Sequence, residues 1–262
     1  MSHILVTGAA SGIGRAVAEA FARPGDRLSL ADIDGAKLTD LADGLIELTE
    51  QPRSRQPTVS TLRTDLTKPT APEECVRSCW ERAGPVDVLV NAAGVYPSHD
   101  MADLDARVWD AVFALNTRAP ALATAELARR AIRAGRQASV VNISSGAALR
   151  SRYGGGPYAS SKAALEMATR AAALELGAHG IRVNAVSPGF VPVDSDCNPV
   201  SAEYAAAVSP NPLGRSGTPG DIAAAVRWLA GPEAGWVTGE ILRVDGGSSA
   251  GTLGLPRIHP AS

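Results

Sequence analysis

The sequence has few cysteines, no block of like charge and no apolar leader. Its three cysteines, Cys75, Cys79 and Cys197, form neither a CxxC motif nor a metal-ligand pattern, so we expect no disulfide framework and no metal site. Cys75 and Cys79 share one helix face, where we expect them to pack. The formal net charge of -2 comes from 25 basic and 27 acidic residues spread along the chain, which makes nucleic acid and anionic membranes poor candidates for partners.

We expect no charged leader with an apolar stretch, because residues 3–6 already fit a first strand. Together with the cysteine usage, this predicts a cytoplasmic protein. No linker or internal repeat divides the 262 residues. A hydrophobic content of 45% is enough to bury one large core, so we predict a single domain over residues 1–262.

Seven short apolar, β-branched runs alternate with stretches of helical periodicity. This alternation is the pattern of repeated βα units around a parallel sheet. Most of the runs are apolar on both faces, as in a sheet that helices cover on each side. We therefore predict an α/β fold, a doubly wound Rossmann fold with about seven parallel strands. The predicted strands span residues 3–7, 27–31, 59–63, 86–91, 139–144, 182–187 and 241–244.

One helix has clear boundary signals in the sequence. Thr218, Pro219 and Asp221 fit the N-cap, first and third positions of a helix over the run IAAAVRWLA. Gly231 and Pro232 are expected to end it.

A glycine-rich turn, TGAASGIG, follows the first predicted strand and precedes a helix. Gly8 permits a tight turn, while Gly12 and Gly14 let the backbone and the helix N-terminus approach a pyrophosphate. Scattered glycines also occur in ordinary turns. The position of these between a strand and a helix favours a nucleotide site.

Asp32 ends the second predicted strand, 18 residues beyond Gly14. A carboxylate there can accept hydrogen bonds from the adenosine ribose and would repel a 2′-phosphate. Neither Ser11, before the second glycine, nor Ile33, after the aspartate, supplies a basic side chain. NAD is therefore favoured over NADP. The alternative interpretation is that Asp32 caps the following helix or is simply solvated.

Four motifs occur in order along the chain: TGAASGIG at 7–14, NAAG at 91–94, YASSK at 158–162 and SPG at 187–189. Together they resemble the short-chain dehydrogenase/reductase family, over residues 3 to about 247. The resemblance implies an NAD-dependent oxidoreductase that moves a hydride between nicotinamide and a secondary alcohol or ketone. It also implies a substrate lid at about 190–217, followed by a C-terminal tail at 248–262.

The resemblance further implies which residues contact the cofactor. Two positions depart from the usual pattern, Ala92 in place of a second asparagine and Val193 in place of a threonine, and the second puts one cofactor contact in doubt. The expected cofactor-binding residues are Gly8, Ser11, Gly12, Ile13, Gly14, Asp32, Asp65, Leu66, Asn91, Ala92, Gly94, Tyr158, Lys162, Pro188, Gly189 and Val191.

Tyr158 and Lys162 are four residues apart, so their side chains share one helix face. A tyrosine that works as a base near neutral pH needs a pKa about 3 below its usual value near 10, which corresponds to about 4 kcal/mol. One ammonium about 4 Å away supplies about 4 kcal/mol at an effective dielectric near 20. We therefore expect Lys162, together with oxidised nicotinamide, to lower the pKa of Tyr158.

Two more residues complete the catalytic set that the resemblance implies. Ser145 lies 13 residues before Tyr158 and matches the serine that hydrogen-bonds the reacting oxygen, with Ser144 as the alternative. Asn116 resembles the asparagine that disturbs a helix and holds a water leading to Lys162. Taken singly, each could instead be a strand-end cap, a helix terminus, a packing residue or a solvated lysine.

Two other functions stay open. One is an NADPH-type biosynthetic ketoreductase, 3-oxoacyl-like, because residues 188–217 resemble the lids of acyl-carrier-linked reductases in length. The other is a non-catalytic NAD-binding protein. We also expect a homo-oligomer, a tetramer or a dimer, through the helices at about 119–134 and 158–176.

The expected substrate is a neutral, medium-sized, cyclic or aryl-bearing secondary alcohol or ketone, because the expected lining is mainly apolar and aromatic and burying an anion without a fixed cation is costly. This expectation fails if Arg150 or Arg152 turns inward. Otherwise these arginines and His99 are solvated. The side chains expected to line the site are Tyr96, Pro97, Ala147, Leu149, Tyr153 and Phe190.

Overall fold

The computed structural model describes residues 2–47, 57–193, 201–208 and 210–253. These residues form one sheet of seven parallel strands, in the spatial order β3-β2-β1-β4-β5-β6-β7. The seven predicted strands are confirmed, and none of their ends moves by more than two residues. They are β1 (His3–Thr7), β2 (Arg27–Asp32), β3 (Thr58–Arg63), β4 (Val88–Asn91), β5 (Ala138–Ile143), β6 (Ile181–Pro188) and β7 (Ile241–Val244).

Helices cover both faces of the sheet. They are α1 (Gly12–Phe21), α2 (Gly35–Glu47), α3 (Ala71–Ala83), α4 (Ala106–Phe113), α5 (Ala119–Arg133), α6 (Gly156–Leu176), α7 (Ala202–Val208) and α8 (Pro219–Ala230). Helices α1, α2 and α8 pack on one face, and α3, α5 and α6 pack on the other. Side chains of β1 alternate between these layers, since Ile4 and Val6 face the first and Leu5 faces the second. Cys75 and Cys79 pack in the second layer, as predicted.

The start of α8 has the predicted capping residues. The Thr218 hydroxyl accepts a hydrogen bond from the Asp221 N–H at 3.2 Å, and Asp221 accepts one from the Thr218 N–H at 2.8 Å. Pro219 occupies the first helical position. The helix ends at Ala230, and Gly231 follows in an extended conformation rather than a left-handed one.

The strand order reverses at β1, which pairs with β2 on one side and β4 on the other. Open α/β sheets bind their ligands at the carboxyl ends of the strands beside such a reversal. Among the described residues, no helix is long and apolar enough to cross a membrane. Cys197, residues 194–200 and 209 of the predicted lid, and residues 254–262 of the predicted tail lie outside the described part of the chain.

Candidate active site

The glycine-rich turn between β1 and α1 has contacts that only glycine allows. Gly8 has a φ of 67°, and a Cβ atom there would lie 2.6 Å from the Ala93 backbone. A Cβ atom on Gly14 would lie 2.0 Å from the Gly8 carbonyl oxygen. Helix α1 begins at Gly12 without an acidic residue in its first turn, and the Ser11 side chain makes no capping hydrogen bond. The first N–H groups of α1 can therefore bind an anion, as a pyrophosphate site requires.

Val193 lies beside this turn. A Cβ atom on Gly12 would lie 3.2 Å from its side chain. The position at which many relatives are expected to carry a threonine hydroxyl is therefore apolar here and adjacent to the predicted pyrophosphate site. Ile13, also a predicted cofactor contact, packs its side chain on the apolar layer of α1.

Asp32 is held against the turn rather than on the following helix. Its Oδ2 accepts a hydrogen bond from the Ala10 N–H at 3.0 Å, and its Oδ1 accepts one from the Asp34 N–H at 3.1 Å. The start of α2 is capped by Asp34, whose Oδ1 accepts from the N–H groups of Ala36 and Lys37. The helix-cap alternative for Asp32 is therefore wrong.

The predicted adenine-contacting pair follows β3. Thr67 donates its hydroxyl to Asp65 at 2.6 Å, and this hydrogen bond is the main influence that lowers the pKa of the carboxyl. Leu66 is buried. Asn91 ends β4, and its side chain donates to Asn142 Oδ1 at 2.8 Å. The Ala92 N–H donates to the carbonyl of Thr7, fixing this segment beside β1.

The third predicted cofactor segment follows β6. Pro188 ends the strand, and the Gly189 N–H donates to the Val244 carbonyl at 3.0 Å, which holds the segment beside β7. A Cβ atom on Gly189 would lie 2.7 Å from the Asp245 backbone, so a side chain is excluded there. Val191 packs beside Gly217 of the predicted lid.

Tyr158 and Lys162 both lie in the first two turns of α6, as the spacing predicts. Lys162 is buried, and its Nζ donates to the Ile143 carbonyl at 2.7 Å while lying 5.9 Å from the centre of the Tyr158 ring. Ser145 is the hydrogen-bonding neighbour that acts to lower the pKa of the Tyr158 hydroxyl, and its Oγ accepts from the Ala147 N–H at 3.1 Å. The alternative serine, Ser144, instead donates to Glu166 Oε1 at 2.8 Å. The structure therefore favours Ser145 over Ser144 as the partner of Tyr158.

In the protein alone the pKa of Tyr158 is raised rather than lowered, which corrects the expectation from spacing. Burial raises it to about 12, against the smaller downward influences of the Ser145 hydrogen bond and the charge of Arg152. Burial also lowers the pKa of Lys162, to about 8. Both groups are desolvated in the packed chain, a cost that their spacing along the helix does not reveal. A fixed positive charge from oxidised nicotinamide would favour the tyrosinate.

Asn116 lies in a π-helical turn, Ala114–Arg118, between α4 and α5. Its Oδ1 accepts from the Val95 N–H at 2.9 Å, and its Nδ2 donates to the Val95 carbonyl and to Ser161 Oγ. A Cβ atom on Gly94 would lie 3.2 Å from Asn116 Oδ1 and 3.6 Å from Lys162 Nζ. The structure thus places Asn116, Gly94 and Lys162 side by side. Asn116 lies on a disturbed helix, as the resemblance implies.

Three consecutive residues at the end of β5 and just after it bind α6. Asn142 donates to Thr169 Oγ1 at 2.9 Å, the Ile143 carbonyl accepts from Lys162, and Ser144 donates to Glu166. These contacts fix α6, and with it Tyr158, relative to the strand that carries Ser145. Sequence reasoning missed the role of Glu166, because nothing in its local sequence indicates a partner 22 residues away.

The predicted lining residues divide into two groups. The Tyr96 ring packs against the Tyr158 ring, with centroids 5.6 Å apart. Tyr153 and Leu149, in contrast, are exposed, Tyr153 completely so. Their assignment to the pocket wall was wrong, because the 3-10 turn Gly146–Ala148 and the residues after it carry both side chains outward.

The two candidate arginines have different partners. Arg150 donates to the Ser248 carbonyl at 2.9 Å. Arg152 donates to the hydroxyl of Tyr204 on α7, and its guanidinium carbon lies 5.6 Å from the centre of that ring. His99 binds through its backbone, since its N–H donates to the Gly154 carbonyl at 2.8 Å.

A family model described as enoyl-(acyl carrier protein) reductase matches residues 8–249. The chain is 34% identical to a (3R)-3-hydroxyacyl-CoA dehydrogenase of Rattus norvegicus, over 93% of this chain and 94% of that protein. It is 32% identical to a sorbitol dehydrogenase of Cereibacter sphaeroides, over 93% and 96% of the two chains. The chain belongs to the short-chain dehydrogenase/reductase family.

Solved structures of short-chain dehydrogenases/reductases and similar proteins agree with this fold. A blue fluorescent protein from a metagenomic library, in complex with NADPH, matches with a TM-score of 0.81 and 32% identity over 94% of this chain and 97% of that one. A 4-hydroxyisoleucine dehydrogenase complexed with NADH matches with a TM-score of 0.83 and 27% identity over 96% and 100%. This short-chain dehydrogenase/reductase is thus an oxidoreductase that acts on a secondary alcohol or ketone and binds a nicotinamide cofactor.

Proposed function

We propose that this enzyme uses NAD and oxidises a secondary alcohol, with Tyr158 as the acid/base. The choice of NAD rests on the position of Asp32, whose carboxylate is held beside the glycine-rich turn by two backbone N–H groups. A negative charge fixed at this place favours ribose hydroxyls and disfavours a 2′-phosphate. The uncapped N-terminus of α1 and the glycine contacts around Gly8 fit the pyrophosphate of such a cofactor.

Each catalytic side chain has a distinct part in the proposed reaction. Ser145 hydrogen-bonds the reacting oxygen, and Tyr158 accepts the hydroxyl proton as the hydride leaves the carbinol carbon. Lys162 stabilises the tyrosinate, and Asn116 holds the neighbouring segment at Val95 in place. Bound NAD supplies the hydride acceptor and a positive charge. In the reverse direction, Tyr158 returns the proton to the alkoxide.

An NADPH-type ketoreductase is the second candidate, and one contact favours it. Arg63 donates its Nε–H to the Ile33 carbonyl at 3.1 Å, next to Asp32. This guanidinium is the kind of group that binds a 2′-phosphate. We place NAD first because Asp32 is hydrogen-bonded to the turn itself, whereas Arg63 is exposed and bound to a carbonyl beyond it.

The test measures kcat/KM for a panel of secondary alcohols and ketones with both cofactors. Tyr158→Phe should lower turnover by about 10³-fold, since a positioned acid/base contributes about 10²–10⁴, while nucleotide binding measured by calorimetry stays largely intact. The matched control is Tyr153→Phe, five residues earlier and fully exposed, which should keep wild-type turnover. Near-normal turnover in Tyr158→Phe would reject the mechanism. Nucleotide binding without turnover of any compound would instead favour a non-catalytic NAD-binding protein.

We also propose that the enzyme forms a homo-oligomer, a tetramer or a dimer, through α5 and α6. Met167 and Leu174 of α6 leave 62% and 86% of their surfaces exposed, which is costly for large apolar side chains on a wet helix face. Light scattering of the purified enzyme measures the mass directly.

A further inference from the structure

The Arg152 side chain extends from a fixed stretch of backbone, six residues before Tyr158. The Gly155 N–H donates to the Arg152 carbonyl at 3.0 Å, and the neighbouring Gly154 carbonyl accepts from the His99 N–H at 2.8 Å. A β-bridge between His99 and Gly155 joins the same two loops. The loop after β5 and the loop after β4 are thus joined where Arg152 begins. Its charge therefore has a defined place at the mouth of the site.

The charge of Arg152 has no acidic partner among the described residues. Its guanidinium binds the neutral phenol of Tyr204 by a hydrogen bond and by its ring face. The other described arginine near the lid, Arg215, is neutralised, because both of its terminal nitrogens bind Asp221 at 2.8 Å. Arg152 therefore differs from Arg215 in keeping a positive charge that a ligand could neutralise.

The charge of Arg152 also acts close to the chemistry. It is one of the influences that lower the pKa of Tyr158, against the larger rise caused by burial. Tyr96 contacts Tyr158 from the opposite loop. Among the described residues, the mouth of the site therefore contains three phenols, Tyr96, Tyr158 and Tyr204, and one guanidinium. No described carboxylate binds that guanidinium. Of these groups, the Tyr204 hydroxyl and the Arg152 guanidinium are donors that can recognise an anion together.

We propose that Arg152 is a specificity-determining residue that binds an anionic group, a carboxylate or a phosphate, on the alcohol or ketone substrate. Tyr204 holds the guanidinium in place from the lid and donates its own hydroxyl to the same anion. This inference rests on the proposed function, whose reacting atoms lie at Tyr158. It reverses the expectation of a neutral substrate, which depended on neither arginine turning toward the site. A cation held at the mouth of the site, where Arg152 is exposed, reduces the desolvation cost on which that expectation was based.

The experiment compares 3-hydroxybutyrate with its neutral methyl ester and with its coenzyme A thioester, which carries phosphate. The acid tests a carboxylate as the bound anion, and the thioester tests a phosphate. We expect at least one anionic compound to exceed the ester in kcat/KM, and we expect Arg152→Gln to lower that anion-to-ester ratio at least tenfold. The control Arg150→Gln, whose guanidinium binds the Ser248 carbonyl, should leave the ratio unchanged. An unchanged ratio in Arg152→Gln would overturn the proposal.

A second measurement does not depend on turnover. The melting temperature is followed as inorganic phosphate or malonate is added to the enzyme saturated with its nicotinamide nucleotide, which covers the N-terminus of α1. A rise in the wild type that is absent in Arg152→Gln supports the anion site. No rise, or an equal rise in the variant, refutes it. Tyr158→Phe should keep this rise, so a failed acid/base assignment and a failed anion site give different results.

Discussion

At the amino ends of the strands, polar side chains bind the backbone of neighbouring elements. Arg182, on β6, donates to the carbonyls of Leu229, Ala230 and Gly231 at the end of α8, and also to Val237. At the carboxyl ends, Ser145, Tyr158 and Lys162 bind one another or a strand carbonyl, and the first N–H groups of α1 have no capping side chain. One end of the sheet is occupied by structural hydrogen bonds, while the other keeps donors and acceptors for ligands.

This difference predicts which substitutions should change stability and which should change activity. Groups at the amino ends bind fixed backbone acceptors, so their loss should weaken folding and leave the chemistry intact. Ser145 and Tyr158, at the carboxyl ends, lie at the candidate site and are not among the contacts that hold α6. Their loss should change binding or turnover and leave the free energy of unfolding nearly unchanged.

The largest stability effect should come from Arg182→Met. This change removes a charged donor from five acceptors, four carbonyls and Ser139 Oγ. We expect the free energy of unfolding to fall by about 3 kcal/mol, the scale of hydrogen bonds to charged groups, while KM for the cofactor stays at its wild-type value. Urea unfolding measures the loss. Arg243→Met, on the exposed face of β7, is the matched control and should cost less than about 0.5 kcal/mol. Equal losses in the two variants would contradict the comparison.

Asp32→Ala should give the next largest effect, at the opposite end of the sheet. Removing this carboxylate should raise the Kd for NAD about tenfold, or 1.4 kcal/mol, and narrow the preference for NAD over NADP. The control is Asp34→Ala, which removes the cap of α2 and should cost about 1 kcal/mol of stability without changing that preference. Fluorescence titration with both nucleotides measures the ratio. Comparable kcat/KM for NAD and NADP in the unmutated enzyme would be evidence against the role of Asp32.

The smallest effect should be a pH dependence of stability at the amino end of β1. His3 is fully buried between the Gly84 carbonyl and Ser29 Oγ, each 2.8 Å from a ring nitrogen. Since a carbonyl only accepts, Nδ1 carries the proton and Nε2 accepts from Ser29. Burial lowers the pKa of His3 from 6.5, and the charge of Arg27 adds to this. The neutral ring therefore contributes stability that is complete above about pH 6.5 and is lost as the pH falls below it.

The measurement is the free energy of unfolding between pH 5 and pH 8. A single proton limits the slope to about 1.4 kcal/mol per pH unit. His3→Gln should flatten this slope, whereas His179→Gln, at an exposed histidine, should leave it unchanged. A slope that is equal in the wild type and in His3→Gln would show that His3 is not the origin of the pH dependence of stability.

The sequence predicted the sheet closely because short apolar runs and turn residues are local signals. The α8 caps and the shared helix face of Tyr158 and Lys162 depend on spacing alone, and both agree with the structure. The outward direction of Tyr153 was missed, since a loop's course is set by its contacts with other loops. The raised pKa of Tyr158 was missed for a related reason: burial is a property of the packed chain.

Contacts between segments that are distant in the sequence could not be predicted from local sequence patterns. Arg152 and Tyr204 are separated by 52 positions, and nothing in either neighbourhood indicates the other. Ser144 and Glu166 are similarly separate in sequence. Such pairs need the tertiary structure, or observed covariation between positions, to be found.

The contact between Arg152 and Tyr204 also bears on how new specificities could be built on this scaffold. It joins the loop before α6 to α7, which lies within the predicted lid. Exchanges of segments between relatives would ordinarily treat these two segments as separate modules. A chimera that imports α7 alone would leave Arg152 facing a foreign side chain, and one that imports the loop alone would leave Tyr204 without its guanidinium. The two segments therefore form one unit of recombination, and libraries that exchange them together should retain more active members than libraries that exchange either alone.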